Sequence, residues 1–176
     1  SVSTITAYYY KRKSLEQALA NELLGIVNSV STFVDGTQHD LIAYDQFLGE
    51  IDNLAYLEEL HRQLHQVELN NPKISNPGHS AIYTLRRIED IQDIPHLEFV
   101  ATSQKNKDGK FDVAKVIKAE DFQLEALKGK SVTRGLYEDE HGTWISSCAL
   151  ISPRPIGLAL GSRHLDCDAR VHRGTV

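Results

Sequence analysis

A hairpin in the last third of the chain collects the side chains best suited to hold a small molecule. Its two strand-like segments carry Arg134, Tyr137, Trp144, Ser146 and Ser147, and two further segments add Tyr83, Arg86 and Phe99. Aromatic rings give a pocket rigid apolar walls, and a few convergent polar groups orient what enters it. A guanidinium, that of Arg134 or Arg86, pairs with a carboxylate through two parallel hydrogen bonds. The expected ligand-binding set is therefore Tyr83, Arg86, Phe99, Arg134, Tyr137, Trp144 and Ser146, with an organic acid or amino acid as ligand. The plainer alternative makes Tyr83, Phe99 and Trp144 ordinary core residues. Strand alternation limits the site. Tyr83 and Arg86, like Arg134 and Tyr137, fall on opposite faces of a regular strand, so each pair shares a face only across a bulge.

Other chemistry-bearing groups have simpler explanations. His61 and His65 stand four apart, the spacing of the zinc ligands on a metalloprotease helix, but Arg62 follows His61 where that motif needs a Glu. They read as two surface histidines. The stretch Gln104 to Asp112 places Asn106, Asp108 and Asp112 around Gly109 as a calcium loop would. Gln104 and Lys115 occupy its first and twelfth positions, where acids are required, so it reads as a solvated turn. Asp35, His39 and Asp40 cluster after the first helix, where the acids are expected to make turn and cap hydrogen bonds. The sequence has no Gly-x-Ser-x-Gly elbow and no Gly-rich phosphate loop. No catalytic residue, metal or cofactor is expected.

These residues need elements to position them. From Ser14 to Phe33 the apolar residues Leu15, Leu19, Leu23, Ile26, Val27, Val30 and Phe33 recur at helical spacing. Ser14 and Gln17 suggest a capping box, although the helix could also begin among Tyr8, Tyr9 and Tyr10. Asp35-Gly36 breaks the helix, and a loop is expected through His39 to Asp45. A second helix is expected from Gln46 to Glu68, with Leu48, Ile51, Leu54, Leu57, Leu60, Leu64 and Val67 as its stripe and Asn70-Asn71-Pro72 as its stop. Strands follow over 81–88 and 97–102, a polar turn over 104–110, a short helix over 119–127, and a hairpin pairing 132–138 with 143–151. Residues 155–160 suggest a last strand. Helices followed by strands describe an α+β domain, and so short a hairpin turn demands antiparallel pairing.

The whole chain has 176 residues, 41% hydrophobic and 24% charged, which suits one globular domain rather than a disordered or collagen-like chain. A net charge of −5 argues against nucleic acid as a partner. No stretch is long and apolar enough to span a membrane, and no secretory leader is visible. With no Met at all, the chain is expected to be a piece of a longer protein. Cys148 and Cys167 are too few to fix the redox compartment. The run Tyr8-Tyr9-Tyr10-Lys11-Arg12-Lys13 suits a membrane–water interface, or simply a polar helix start.

Several stretches together resemble the Cache, or extracytoplasmic PAS-like, sensor domains of bacterial membrane signalling proteins. They are Phe33-Val34-Asp35-Gly36-Thr37-Gln38-His39, Asn71-Pro72, Ile82-Tyr83-Thr84-Leu85-Arg86, Leu97-Glu98-Phe99-Val100, and Gly135 through Tyr137 and Trp144 to Ser147. The resemblance covers Leu15 to Ile151. It implies a long N-terminal helix leaving a membrane span, and a second helix packed on a central antiparallel sheet of about five strands with the ligand on one face. It also implies a cytoplasmic output domain such as a cyclase, diguanylate cyclase, histidine kinase or chemotaxis module. Residues 1–13 would then be a juxtamembrane start, 14–168 a single periplasmic sensor domain and 169–176 a disordered tail. The pocket is expected on the sheet face opposite the long helix. A parallel homodimer is expected through that helix, with Leu15, Leu19 and Ile26 as contacts. After the hairpin the family pattern is lost: Ala149 to Pro155 replaces its Pro-Ile and Asp-Gly elements, and Arg163 to Val176 departs from it. The alternatives are a ligand-free PAS-like dimerisation module and, more remotely, a metal-dependent hydrolase built on His61 and His65.

Overall fold

The computed structural model describes residues 2–75, 81–139, 142–151 and 164–167. Helix α1 runs over Val2–Phe33. It starts well before Ser14, because neither Gly nor Pro interrupts residues 2–24 and helix propagation is favourable once begun. A 2.9 Å ion pair from Arg12 to Glu16 spans the expected start. Ser14 is therefore no cap, and Gln17 donates instead to Asn21 at 3.0 Å. The break at Asp35 is as expected, but the segment after it is a helix, α2 (Gly36–Asp40). Asp35 takes an extended backbone and its Oδ1 accepts from the amides of Thr37 and Gln38, at 3.0 and 3.2 Å.

The second expected helix is shorter than its apolar stripe. Residues 43–52 form a two-stranded ribbon, β1 (Ala43–Asp45) and β2 (Glu50–Asp52), and α3 spans Leu54–Asn70. Three local devices override the periodicity. Asp45 Oδ1 accepts from the amides of Phe47 and Leu48 at 2.7 and 3.0 Å, and Gly49 and Asn53 both adopt left-handed backbones (φ 68° and 55°). Leu48 is consequently exposed rather than part of a buried stripe.

Strands β3 (Tyr83–Arg87), β4 (His96–Thr102), β5 (Val116–Lys118), β6 (Val132–Asp139), β7 (Gly142–Ile151) and β8 (His164–Cys167) pair antiparallel throughout. Helix α4 (Asp121–Leu127) lies between β5 and β6 in sequence, close to the expected 119–127. The architecture is α+β with a long N-terminal helix, as expected, but a five-stranded central sheet is not what forms. The larger groups are β5-β4-β3 and β7-β6, and the four-residue β8 joins them in the order β5-β4-β3-β8-β7-β6. Strand β5, unread in the sequence, is three residues at an edge, preceded by Ala114 at φ 62°. The last strand lies at 164–167. The expected strand over 155–160 and the expected tail over 169–176 fall outside the described residues. Cys148 is disulfide-bonded, and its register partner across β7 and β8 is Cys167, the other cysteine of the sequence.

Alternation along the strands divides the core between two faces. On one face Leu23, Ile26 and Val30 of α1 and Leu57, Leu60 and Leu64 of α3 pack with Ile82, Val100, Ile145 and Ile151. On the other, Ala126 and Leu127 of α4 pack with Tyr83, Leu85, Leu97 and Cys148. The apolar stripe of α1 is thus buried on the sheet and α3, but only from Leu23 onward. Residues 3–15 are all exposed, a stretch of about 20 Å at ~1.5 Å per residue.

Candidate functional site

The seven nominated side chains divide between the faces. Tyr83 and Phe99 lie on the α4 face, with ring centroids 4.8 Å apart, and Tyr83 is buried. Trp144 and Ser146 share the parity of Cys148 on β7 and are also buried. A bulge in β6 between Arg134 and Tyr137 brings those two onto the same face, which a regular strand would forbid. The Arg134 guanidinium lies over the Tyr137 ring, 3.7 Å from its centroid, and 5.8 Å from the centroid of Phe122 at the start of α4. The Tyr137 hydroxyl and the Ser146 hydroxyl are hydrogen-bonded at 2.8 Å. Six of the seven therefore belong to the face opposite α1.

Arg86 stands apart. It follows Thr84 in parity and lies on the α1 side, where its Nη1 donates to the carbonyls of Asp40 and Ile42, each at 3.0 Å, and its Nη2 pairs with Glu98. Both partners of this ion pair keep less than a fifth of their side chains exposed. The bulge in β3–β4 falls between Thr84 and Leu85 and does not turn Arg86 to the α4 face. Arg86 ties the entrance of the β1–β2 ribbon to the sheet. Beside it, His39 is fully buried, with Nε2 2.8 Å from Thr84 Oγ1, and Thr84 Oγ1 also accepts from the Ala101 amide at 3.1 Å.

Arg134 has a partner that no local sequence pattern announces. Its Nη1 pairs with Glu120 Oε2. Glu120 immediately precedes α4, and its amide donates to Gln123 Oε1 at 2.8 Å, closing the helix start. The Glu120-x-x-Gln123 spacing before the apolar run was the signal available for this helix start. Nothing local pointed to Arg134, fourteen residues away. Ser147, on the other face, bonds Thr133 at 2.8 Å.

The remaining candidates behave as turn and surface groups. His61 donates from Nδ1 to the Thr102 carbonyl (2.8 Å), stacks 6.0 Å from His65 and meets Phe111 edge-on. Among the described residues no group of three or more His, Cys, Asp or Glu side chains is arranged to hold a metal ion. In the 104–112 segment, Asn106 Oδ1 accepts from the amides of Asp108 and Lys110 and its Nδ2 donates to Asp112, so the side chains satisfy the turn itself. Among the described residues no helix is long and apolar enough to cross a membrane. Comparisons of the chain with models of protein families, with curated proteins and with solved structures give no match.

Proposed function

We propose that the chain is the extracytoplasmic sensor domain of a membrane-anchored signalling receptor, of the Cache or PAS-like kind, and that it binds a small organic acid or amino acid on the α4 face of its sheet. The observation that carries the reading is the gathering of Tyr83, Phe99, Arg134, Tyr137, Trp144 and Ser146 on that face, with a β6 bulge placing the arginine beside the tyrosine. Aromatic rings, a guanidinium beside one of them and the hydroxyls of Tyr137 and Ser146 are the composition of a site for a small carboxylate, with Phe99, Arg134 and Tyr137 half-buried and Tyr83, Trp144 and Ser146 buried. Arg86 drops out of the proposed site, because its donors are committed on the other face. Cys148 in a disulfide favours an oxidising compartment.

Transmission would run through the sheet. Leu23, Val27 and Val30 of α1 are fully buried, and α1 packs on β6 and β7, the hairpin that carries Arg134, Tyr137, Trp144 and Ser146 on its opposite side. A ligand that binds one helix arrangement more tightly than another shifts their populations, and only by that difference. The exposed first half of α1, with Ile5, Tyr8, Tyr9, Tyr10 and Leu15, is the segment left to contact a second helix in a parallel homodimer. Ile26 is withdrawn from that contact, since it is buried in the domain's own core, and Leu19 packs against the same core. The same exposed helix favours the ligand-free dimerisation module as a second reading. In either reading the chain binds rather than catalyses, and the output domain belongs to the parent protein.

Calorimetric titration against a panel of organic acids and amino acids separates the two. The sensor reading expects one of them to bind the wild type, and Arg134→Ala to weaken it by about 1.5–3 kcal/mol, the range of a charge-assisted hydrogen bond, or roughly ten- to a hundredfold. Binding by no member of the panel, with concentration-dependent dimerisation through α1, would favour the dimerisation module.

A further inference from the structure

Glu120 holds the guanidinium of Arg134, and it does so from the residue on which α4 begins. The geometry points to Glu120 as a built-in competitor for the ligand: a carboxylate arriving at Arg134 displaces the Glu120 carboxylate and releases the start of α4 from β6. This rests on the α4 face being the ligand site, and adds to that reading the ligand's charge class and the element that responds.

Three features support it. The Arg134 guanidinium lies 3.7 Å from the centroid of the Tyr137 ring, which holds it beside β6, and Glu120 engages it through a single oxygen. A free carboxylate with both oxygens available makes the two-point pairing that Glu120 does not. The resident pair is also readily exchanged. Its side chains are 35% and 49% exposed, so water and salt screen it, and such pairs contribute little to stability. Finally, displacement has a consequence. Beyond its amide bond to Gln123, Glu120 links α4 to β6, while Ala126 and Leu127 at the far end of α4 are packed on Tyr83, Leu85 and Leu97. Phe122 and Leu124 pack on the same cluster and Gln123 is buried, so losing the Arg134 link shifts the Glu120 end of the seven-residue helix against β6 without detaching it.

The test is to titrate the whole chain, wild type and Glu120→Gln, with acetate, lactate and L-glutamate, using methyl acetate as a neutral probe. Binding is read by calorimetry and the amide shifts of Asp121 to Leu124 by NMR. The competitor model expects Glu120→Gln to bind the carboxylate about two- to fivefold more tightly, the strength of an exposed ion pair. It also expects the ligand-free Glu120→Gln amides to lie already toward the shifts that ligand produces in the wild type. A carboxylate that binds both chains equally, with the α4 shifts unchanged, overturns the competitor and leaves the sensor reading standing. Binding of methyl acetate as tightly as of acetate also overturns it, because no charge is then being exchanged. If no carboxylate binds either chain, the competitor model is wrong.

Discussion

Replacing Arg86 with alanine is expected to destabilise the domain by about 2–4 kcal/mol, whereas Arg134→Ala is expected to change its stability by about 1 kcal/mol or less. The two arginines look alike in the sequence, each on a strand beside aromatics. Their surroundings differ. Arg86 donates to two backbone carbonyls of the segment leading into the ribbon and pairs with Glu98, with both side chains mostly out of water. Its loss leaves two carbonyls without that donor and a largely buried carboxylate without its cation, and a hydrogen bond to a charged group alone is worth ~1.5–3 kcal/mol. Part of the penalty lies in the stranded Glu98. Arg86→Ala combined with Glu98→Gln is therefore expected to recover about 1 kcal/mol or more of the loss. Denaturant unfolding of the two single variants and the double variant measures all of this. Equal stability losses at Arg86 and Arg134 would contradict the division of the sheet into a structural face and a binding face.

Leu64→Ala is expected to lower stability by about 2–5 kcal/mol, the range for a leucine truncated in a close-packed core. Leu64 is fully buried on α3, in the cluster that includes Leu23 and Val30 of α1 and Ile145 and Ile151 of β7. The same substitution at Leu15, which continues the α1 stripe in sequence but is about half exposed, is expected to change stability by less than about 0.5 kcal/mol. Thermal or urea unfolding separates the two. A large loss at Leu15 would mean that the first half of α1 packs on something within the chain. That would remove it as the exposed segment through which a homodimer is proposed to form.

What could be read from the residues follows the range of the interactions involved. Alternation along β3, β6 and β7 is local, and it correctly separated Tyr83 from Arg86 and warned that Arg134 and Tyr137 needed a bulge to meet. Where a bulge falls is decided by pairing with another strand, so neither the β6 bulge that joins Arg134 to Tyr137 nor the one at Thr84 and Leu85 that leaves Arg86 facing away from Tyr83 is legible in the sequence. Two of the partners of Arg86 are backbone carbonyls more than forty residues away, which no side-chain pattern announces. The misplaced start of α3 has the opposite origin. The stripe continues smoothly through Leu48 and Ile51, and periodicity alone extends the helix. The Asp45 side chain and the left-handed Gly49 and Asn53 break it within a few residues. The long α1 was underestimated because exposed residues carry no apolar signal. Its first half is helical without burying anything.

The proposal that the α4 face is the ligand site is tested most directly by mapping where a ligand lands. The measurement is an NMR titration of the isotope-labelled chain with whichever organic acid or amino acid the calorimetric panel returns. The account predicts that the largest shifts cluster at Phe99, Arg134, Tyr137, Ser146 and the Trp144 indole, with secondary shifts across the hairpin at Val27 and Val30 of α1 and none of comparable size at Arg86. Largest shifts at Arg86 and the ribbon, or spread over the surface with the Trp144 indole unmoved, would contradict it.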